Sequence, residues 1–256
     1  MAPARRLLSS PEWLPPEWLA EARGAIAARG AFSIFSDAEL TGMRGDLESL
    51  PWVKGVKEVE RALPRTVRLA VTPRSPVAAV ECDGALVLVD EESIVLPVAT
   101  FPAERLAGIP GIVRWRGDFA APQIGRAWND PAVQDGVSVA LTIPKFRAAL
   151  PGVQIARIDV TNSGGKVDPR ESELLLVTPQ NVKIKWGRAP RTHVFGELTV
   201  EAKIQNLARV DRKFPGLRGV SVVNLRFDEP DIFDDQGQWV QRPTAMAPPA
   251  DAESQR

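Results

Sequence analysis

The chain has 256 residues, 44% of them apolar and 25% charged, enough for one large globular domain or two small ones with cores of their own. Its 32 basic and 32 acidic residues cancel to a net charge of zero, which removes the overall field that draws a protein to nucleic acid or an acidic membrane surface. One histidine, one cysteine and no tyrosine leave a sparse inventory for acid/base, nucleophilic or metal chemistry, and this points away from most enzyme classes.

Cys82, being alone, can form no disulfide within the chain, a pattern that permits a cell-envelope location without requiring it. The longest uncharged stretch, 93–103, falls far short of the roughly 20 apolar residues of a membrane helix and is interrupted by Pro97 and Pro102. Residues 1–10 carry Arg5 and Arg6 with no apolar run behind them, unlike a secretory signal.

From the N-terminus, the spacing predicts a helix over 16–29, with Trp18, Ala22 and Ile26 on one face and Gly30 as its stop. Ser36-Asp37-Ala38-Glu39 has the form of a capping box. Leu40, Met43, Leu47 and Leu50 follow at helical spacing until Pro51, predicting a second helix over 37–50. After Trp52 the period becomes two. Strands are expected over 55–61 and 66–73, joined at Leu63-Pro64-Arg65, and a hairpin over 76–81 and 86–89 turns at Asp83-Gly84.

Residues 97–117 are rich in proline and glycine without a clear period, and a domain boundary is expected there. Asp130-Pro131 reads as an N-cap and first helical residue, opening a helix towards Leu141. Strands are expected over 154–160, 173–177 and 182–186, then an amphipathic helix over 198–214 carrying Val200, Ile204, Leu207, Val210 and Phe214, and a final strand over 219–227. Past 240 the composition cannot bury enough apolar area to order itself. The expected fold is α+β, with a first domain over 1–97 (two helices on a small sheet), a second over 98–235 (a mostly antiparallel sheet) and a disordered tail over 236–256.

Individual residues offer little chemistry. Trp52 reads as core packing at the junction of helix and strand, and Arg61 and Arg74 as surface charge or salt bridges before partner contacts. His193 has no serine, cysteine or carboxylate pattern beside it. Asp90, Glu91 and Glu92 form an acidic turn, with no histidine or second cluster to suggest a metal. Asn162-Ser163-Gly164-Gly165 is followed by Lys166 but not by the helix that a phosphate loop requires, and reads as a hairpin loop, with Cys82 as a small strand residue.

The run Leu50-Pro51-Trp52-Val53, then 56–61 ending in Arg61, Leu63-Pro64, Thr66-Val67 and Arg74-Ser75-Pro76-Val77-Ala78, resembles the POTRA domain of the FtsQ/DivIB family of bacterial cell-division proteins. Leu88-Val89-Asp90 followed by Ile94-Val95-Leu96-Pro97 is similar to the next family element, although Glu92-Ser93 stands where a glycine is usual. Val182 to Arg188, the helix with Lys203, Ile204 and Leu207, and Val222 to Phe227 resemble the family's β domain. The likeness spans roughly residues 16–233. On it, Pro51, Trp52, Val53, Arg61, Pro64, Arg74 and Pro76 are the POTRA motif positions.

The resemblance implies a non-catalytic divisome scaffold without cofactor, on the periplasmic side of the inner membrane at the division septum. Family members are anchored by one transmembrane helix before the POTRA domain, so the expectation is that an anchor precedes Met1, with a soluble variant of the family as the alternative. An edge strand exposes unpaired backbone donors and acceptors. The resemblance implies that the strand ending at Phe227 captures an FtsB/FtsL-like coiled-coil pair by strand addition. Val220, Val222, Leu225, Arg226, Phe227, Ile232 and Phe233 are then the partner-binding residues, with packing in the domain's own core as an equal alternative. A POTRA-type adaptor or chaperone for envelope polypeptides, unconnected with division, is the second reading.

Overall fold

The computed structural model describes residues 5–30, 32–33, 35–62, 66–98, 101, 103–115, 119–192 and 194–241. In chain order its first elements are β1 (Arg5–Ser9), α1 (Pro16–Ala27), α2 (Asp37–Glu48), β2 (Val53–Ala62), β3 (Thr66–Pro73), β4 (Ala78–Cys82), β5 (Ala85–Val89), β6 (Val95–Leu96), α3 (Ala103–Leu106) and β7 (Gly111–Val113). They are followed by α4 (Pro131–Ala140), α5 (Ile143–Ala149), β8 (Arg157–Asp159), β9 (Leu174–Val177), β10 (Lys183–Gly187), α6 (Val200–Lys213), β11 (Val222–Asn224), β12 (Asp231–Phe233) and β13 (Trp239–Gln241). The fold is α+β. Among the described residues no helix is long and apolar enough to cross a membrane.

The chain divides into two units. The first comprises Met1–Pro76, Val87–Ala107 and Ala121–Trp128, the second Val77–Leu86, Gly108–Ala120 and Asn129–Arg256. In the first, β1 runs parallel to β3 and β2 antiparallel to it, giving the order β1-β3-β2. A parallel neighbour needs a crossover connection, and α1 and α2 lie on it between β1 and β2. The two helices contact each other and α2 contacts β2. Ser36 caps α2 by accepting from the Glu39 N–H at 3.3 Å, as the sequence predicts. The capping box is only half formed, because Glu39 accepts from the backbone of Ser33 instead, at 2.5 Å.

The faces read from helical spacing are those buried: Trp18, Ala22 and Ile26 on α1, Leu40, Met43 and Leu47 on α2. Trp52 stacks on Trp18 with ring centroids 5.0 Å apart and planes 12° from parallel, and Phe101 meets Trp18 edge-on, also at 5.0 Å. The Trp52 indole N–H, which burial would otherwise leave unsatisfied, donates to Glu21 at 2.7 Å. Segment 121–128 supports β6: the Val95 N–H donates to the Arg126 carbonyl and the Gly125 N–H to the Val95 carbonyl.

In the second unit hydrogen-bonded neighbours run β13-β12-β11-β10-β9-β8-β7-β4. This is a mixed sheet: β4 with β7, β7 with β8 and β10 with β11 are parallel, and the other four pairs antiparallel. Val80, Ile112, Ile158, Leu176, Ile184, Val223 and Ile232 stand opposite one another in register, strand to strand, and each is at most 1% exposed. That row is the spine of the core. Helix α4, capped by Asp130 accepting from Ala132 with Pro131 next, packs on β4, β7 and β8. It approaches closely at Gly136, where an added Cβ would lie 2.9 Å from Ile112 Cδ1.

Several expectations change. The aperiodic stretch 97–117 contains α3 and β7, too short to show a period. Ser163–Gly165, read as part of a hairpin loop, does lie in the loop between the antiparallel strands β8 and β9, where it forms a 3-10 turn. The strand expected over 219–227 is confined to β11 and is not the last, since β12 and β13 follow it. Residues 239–241, placed in the unordered tail by composition, form β13, and the rest of that expected tail, 242–256, lies outside the described residues.

Trp52→Ala should cost about 3–5 kcal/mol in urea unfolding, because it empties a site 1% exposed and leaves Trp18 without its stacking partner. Trp52→Phe keeps most of the ring and should cost clearly less.

Candidate partner-binding edge

Most of the described residues that carry the POTRA resemblance are engaged within the first unit. Pro51 precedes the Trp52 stack, and Val53, 1% exposed, opens β2 opposite Pro73. Arg61 is ion-paired with Asp37, at the start of α2. The Arg74 guanidinium reaches Asp90 at 2.5 Å and Glu92 at 2.6 Å, while Asp90 also accepts from the N–H groups of Glu92 and Ile94 at 2.9 and 2.8 Å. Pro76 is half-buried at the end of the unit's first segment. Pro64, like His193, lies outside the described residues.

The acidic turn Asp90-Glu91-Glu92 is therefore a set of ion-pair partners, with Glu91 taken by Lys54. The hydrogen bond from Arg74 holds the Glu92 carboxyl below its ordinary value, against the opposing effect of partial burial. The same region raises the Arg74 pKa: burial works against the charge, but the bonds to Glu92 and Asp90 outweigh it. Cys82 is buried and its thiol faces the Phe119 carbonyl at 2.7 Å.

In the second unit, β11 is not an edge. It lies between β10 and β12. The parallel pairing with β10 depends on the crossover through α6, whose Thr199 caps the helix by accepting from the Ala202 N–H at 3.1 Å. This overturns the expectation that the backbone of 220–227 is free for a partner: the Leu225 N–H donates to Lys185 and the Ser221 N–H to Phe233. Of the seven predicted binding residues, Val220, Leu225 and Ile232 are core, at most 2% exposed. Val222 and Phe233 stand opposite each other and are half-buried, alternating with the core residues Val223 and Ile232.

Arg226 is committed within the unit, its Nε donating to Asn224 at 3.1 Å and its Nη1 to the Arg170 carbonyl at 2.8 Å. Phe227 remains accessible, 51% exposed, and its position is fixed from behind: Asn206 of α6 donates to the Phe227 carbonyl at 3.0 Å and Arg209 to the Asp228 carbonyl at 3.1 Å.

Among the described residues the margin of this strand series is β13, which has β12 as its one strand neighbour. Asp234 builds the turn into it by accepting from the N–H groups of Gln236 and Gln238 at 2.9 and 2.8 Å, and Gly237 takes the positive φ that the turn requires. Trp239 then packs on Phe233 with centroids 4.4 Å apart, yet Trp239 and Val240 stay 38% and 39% exposed. Sequence reasoning missed these two residues. The available signal was the turn-forming Asp234-Asp235-Gln236-Gly237 immediately before an apolar pair.

No protein-family model matches the chain, and no curated protein matches it.

Two measurements bear on the first unit. Arg74→Ala should cost about 3–5 kcal/mol, because Asp90 carries a carboxylate with 2% side-chain exposure that would lose its cation, whereas the double change Arg74→Met with Asp90→Leu should recover much of that loss. Glu92's folded pKa is lowered, so its contribution is present above the unfolded value of about 4.3 and disappears as pH falls through the folded value. An acid titration of Glu92→Gln should accordingly have a shallower stability loss below about pH 4.5 than the parent chain.

Proposed function

We propose that this chain is a non-catalytic scaffold of the FtsQ/DivIB kind, binding other division proteins on the periplasmic side of the inner membrane at the septum. Its first unit is a POTRA-type domain on this reading, supported by the β-α-α-β-β element order and the sheet order β1-β3-β2. The division role rests on the sequence resemblance through Pro51-Trp52-Val53 and Val222–Phe227. Absence of chemistry of its own is inferred from the sparse reactive inventory and from the engagement of Arg74, Asp90 and Glu92 with one another.

The observation that carries the binding mode is that β13 has β12 as its one neighbour among the described strands, with Trp239 and Val240 partly exposed on it and Phe227 exposed in the β11–β12 connection. A strand laid along β13 would gain backbone hydrogen bonds from the edge and specificity from the apolar side chains beside it. The partner is an FtsB/FtsL-like coiled-coil pair with a short extended segment. The docking strand is thus β13, not the 220–227 segment.

Co-purification with the cognate coiled-coil pair tests this. The parent chain should retain the pair. Trp239→Lys, which sets a charge on the edge, and Phe227→Asp should each weaken retention about tenfold or more, equivalent to about 1.4 kcal/mol, at an unchanged melting temperature. Retention unaffected by both changes, or none by the parent chain, overturns the edge proposal. A fluorescent fusion that spreads evenly round the cell periphery instead of gathering at the septum would favour the adaptor or chaperone reading.

A further inference from the structure

Lys203 occupies a position on α6 that spacing assigns to the core, in line with Leu207 and Val210, and its side chain is 2% exposed. A long charged side chain at such a position departs from the pattern that a stable helix needs, and departures of this sort concentrate at sites with a job beyond packing. Its ammonium is ion-paired with Glu197 and stands 4.5 Å from the Trp186 ring centroid. Burial lowers the Lys203 pKa from its ordinary value, with the Glu197 hydrogen bond opposing the shift.

These groups border a cavity of about 470 Å³, with Val194, Leu198 and Val200 among its apolar walls. That size lies within the range of sites for small organic ligands. The hydrogen-bonding capacity at the cavity is lopsided. Trp186, which lines the cavity, is wholly buried, and its indole N–H has no acceptor among the described residues. Lys203 has three donors, and among the described residues its hydrogen-bond acceptor is Glu197. On the acceptor side, Glu197 Oε1 serves both Lys203 and the Arg188 backbone N–H, which leaves Oε2 as the carboxylate's remaining acceptor against the donors of Lys203 and Trp186. Gly187, at φ +98°, permits this arrangement, because a Cβ there would collide with the Glu197 carboxylate.

We propose that this cavity binds a neutral, peptide-like ligand that presents a carbonyl oxygen beside an apolar side chain. The surplus of buried donors calls for an acceptor. Charge is already balanced, Lys203 against Glu197 and Arg188 against Glu173, so a carboxylate would meet the like charge of Glu197 where a neutral carbonyl would not. The apolar walls take the side chain. The site is separate from the β13 edge, and its test does not depend on the division role.

The test uses the full chain and two small probes, N-acetyl-leucinamide and the carboxylate N-acetyl-leucine. Indole N–H resonances are followed by NMR, with Trp186→Phe identifying the Trp186 signal. The neutral probe should move that signal saturably and leave the other six tryptophans in place. The carboxylate should bind about tenfold more weakly. Lys203→Met should weaken the neutral probe about tenfold, and Val194→Trp, which fills the cavity without touching its donors, should abolish the saturable shift even if Lys203→Met does not fold. No saturable movement in the parent chain overturns the site. A carboxylate that binds as well as the amide overturns the ligand class, and undiminished binding to Val194→Trp overturns the location.

Discussion

Parallel pairing between β10 and β11 constrains everything at the C-terminal end of the second unit. Two parallel neighbours cannot be joined by a tight turn, so the chain must leave β10, travel back along α6 and enter β11 from the same end. Once it has done so, β11 already has β10 on one side, and the antiparallel return through β12 takes the other. The sheet's margin is thereby moved outward to β13. The same crossover places Asn206 and Arg209 behind Phe227 and Asp228, and brings Lys203 over Trp186. Edge and cavity are both consequences of how α6 is fitted between two strands.

Polar residues divide sharply by role. In the first unit, Arg74, Asp90 and Glu92 satisfy one another and the backbone around them, so their motif-like appearance is explained by folding. Asp90 supplies two backbone N–H groups with acceptors and a guanidinium with a counter-charge, and that is why a carboxylate can be buried there at all. In the second unit the balance is different: among the described residues the Trp186 indole N–H has no acceptor, and its neighbour Lys203 is a cation at a core position.

Elements with a period long enough to be read were legible in the sequence. The strand Thr66–Pro73 and the helix starts at Pro16, Asp37 and Pro131 follow from alternation, a serine cap and proline at the first turn. What escaped was structure made of three residues at a time. β7, β12 and β13 hold too few positions to display an alternation, and each depends on a neighbouring strand, as β7 does on β8, whose Arg157 stands opposite Gly111 from far along the chain. The candidate edge was misplaced for that reason. Val222 to Phe227 had the look of a terminal strand, but edge status is a property of the sheet and cannot be read from the strand itself. Of the residues picked from sequence, Phe227, in the connection from β11 to β12, is the most exposed; Val220, Leu225 and Ile232 carry the same apolar chemistry and spend it on the core.

The stack of Trp18 on Trp52 has an optical consequence. The two indoles lie nearly parallel at 5.0 Å, close enough for their electronic transitions to couple, and the sequence contains no tyrosine to overlap their signal. The first unit thus carries its own chromophore pair, and a circular dichroism couplet from it would vanish when β2 and α1 separate. Loss of that couplet would report the melting of this unit without a label, against the background of the other five tryptophans.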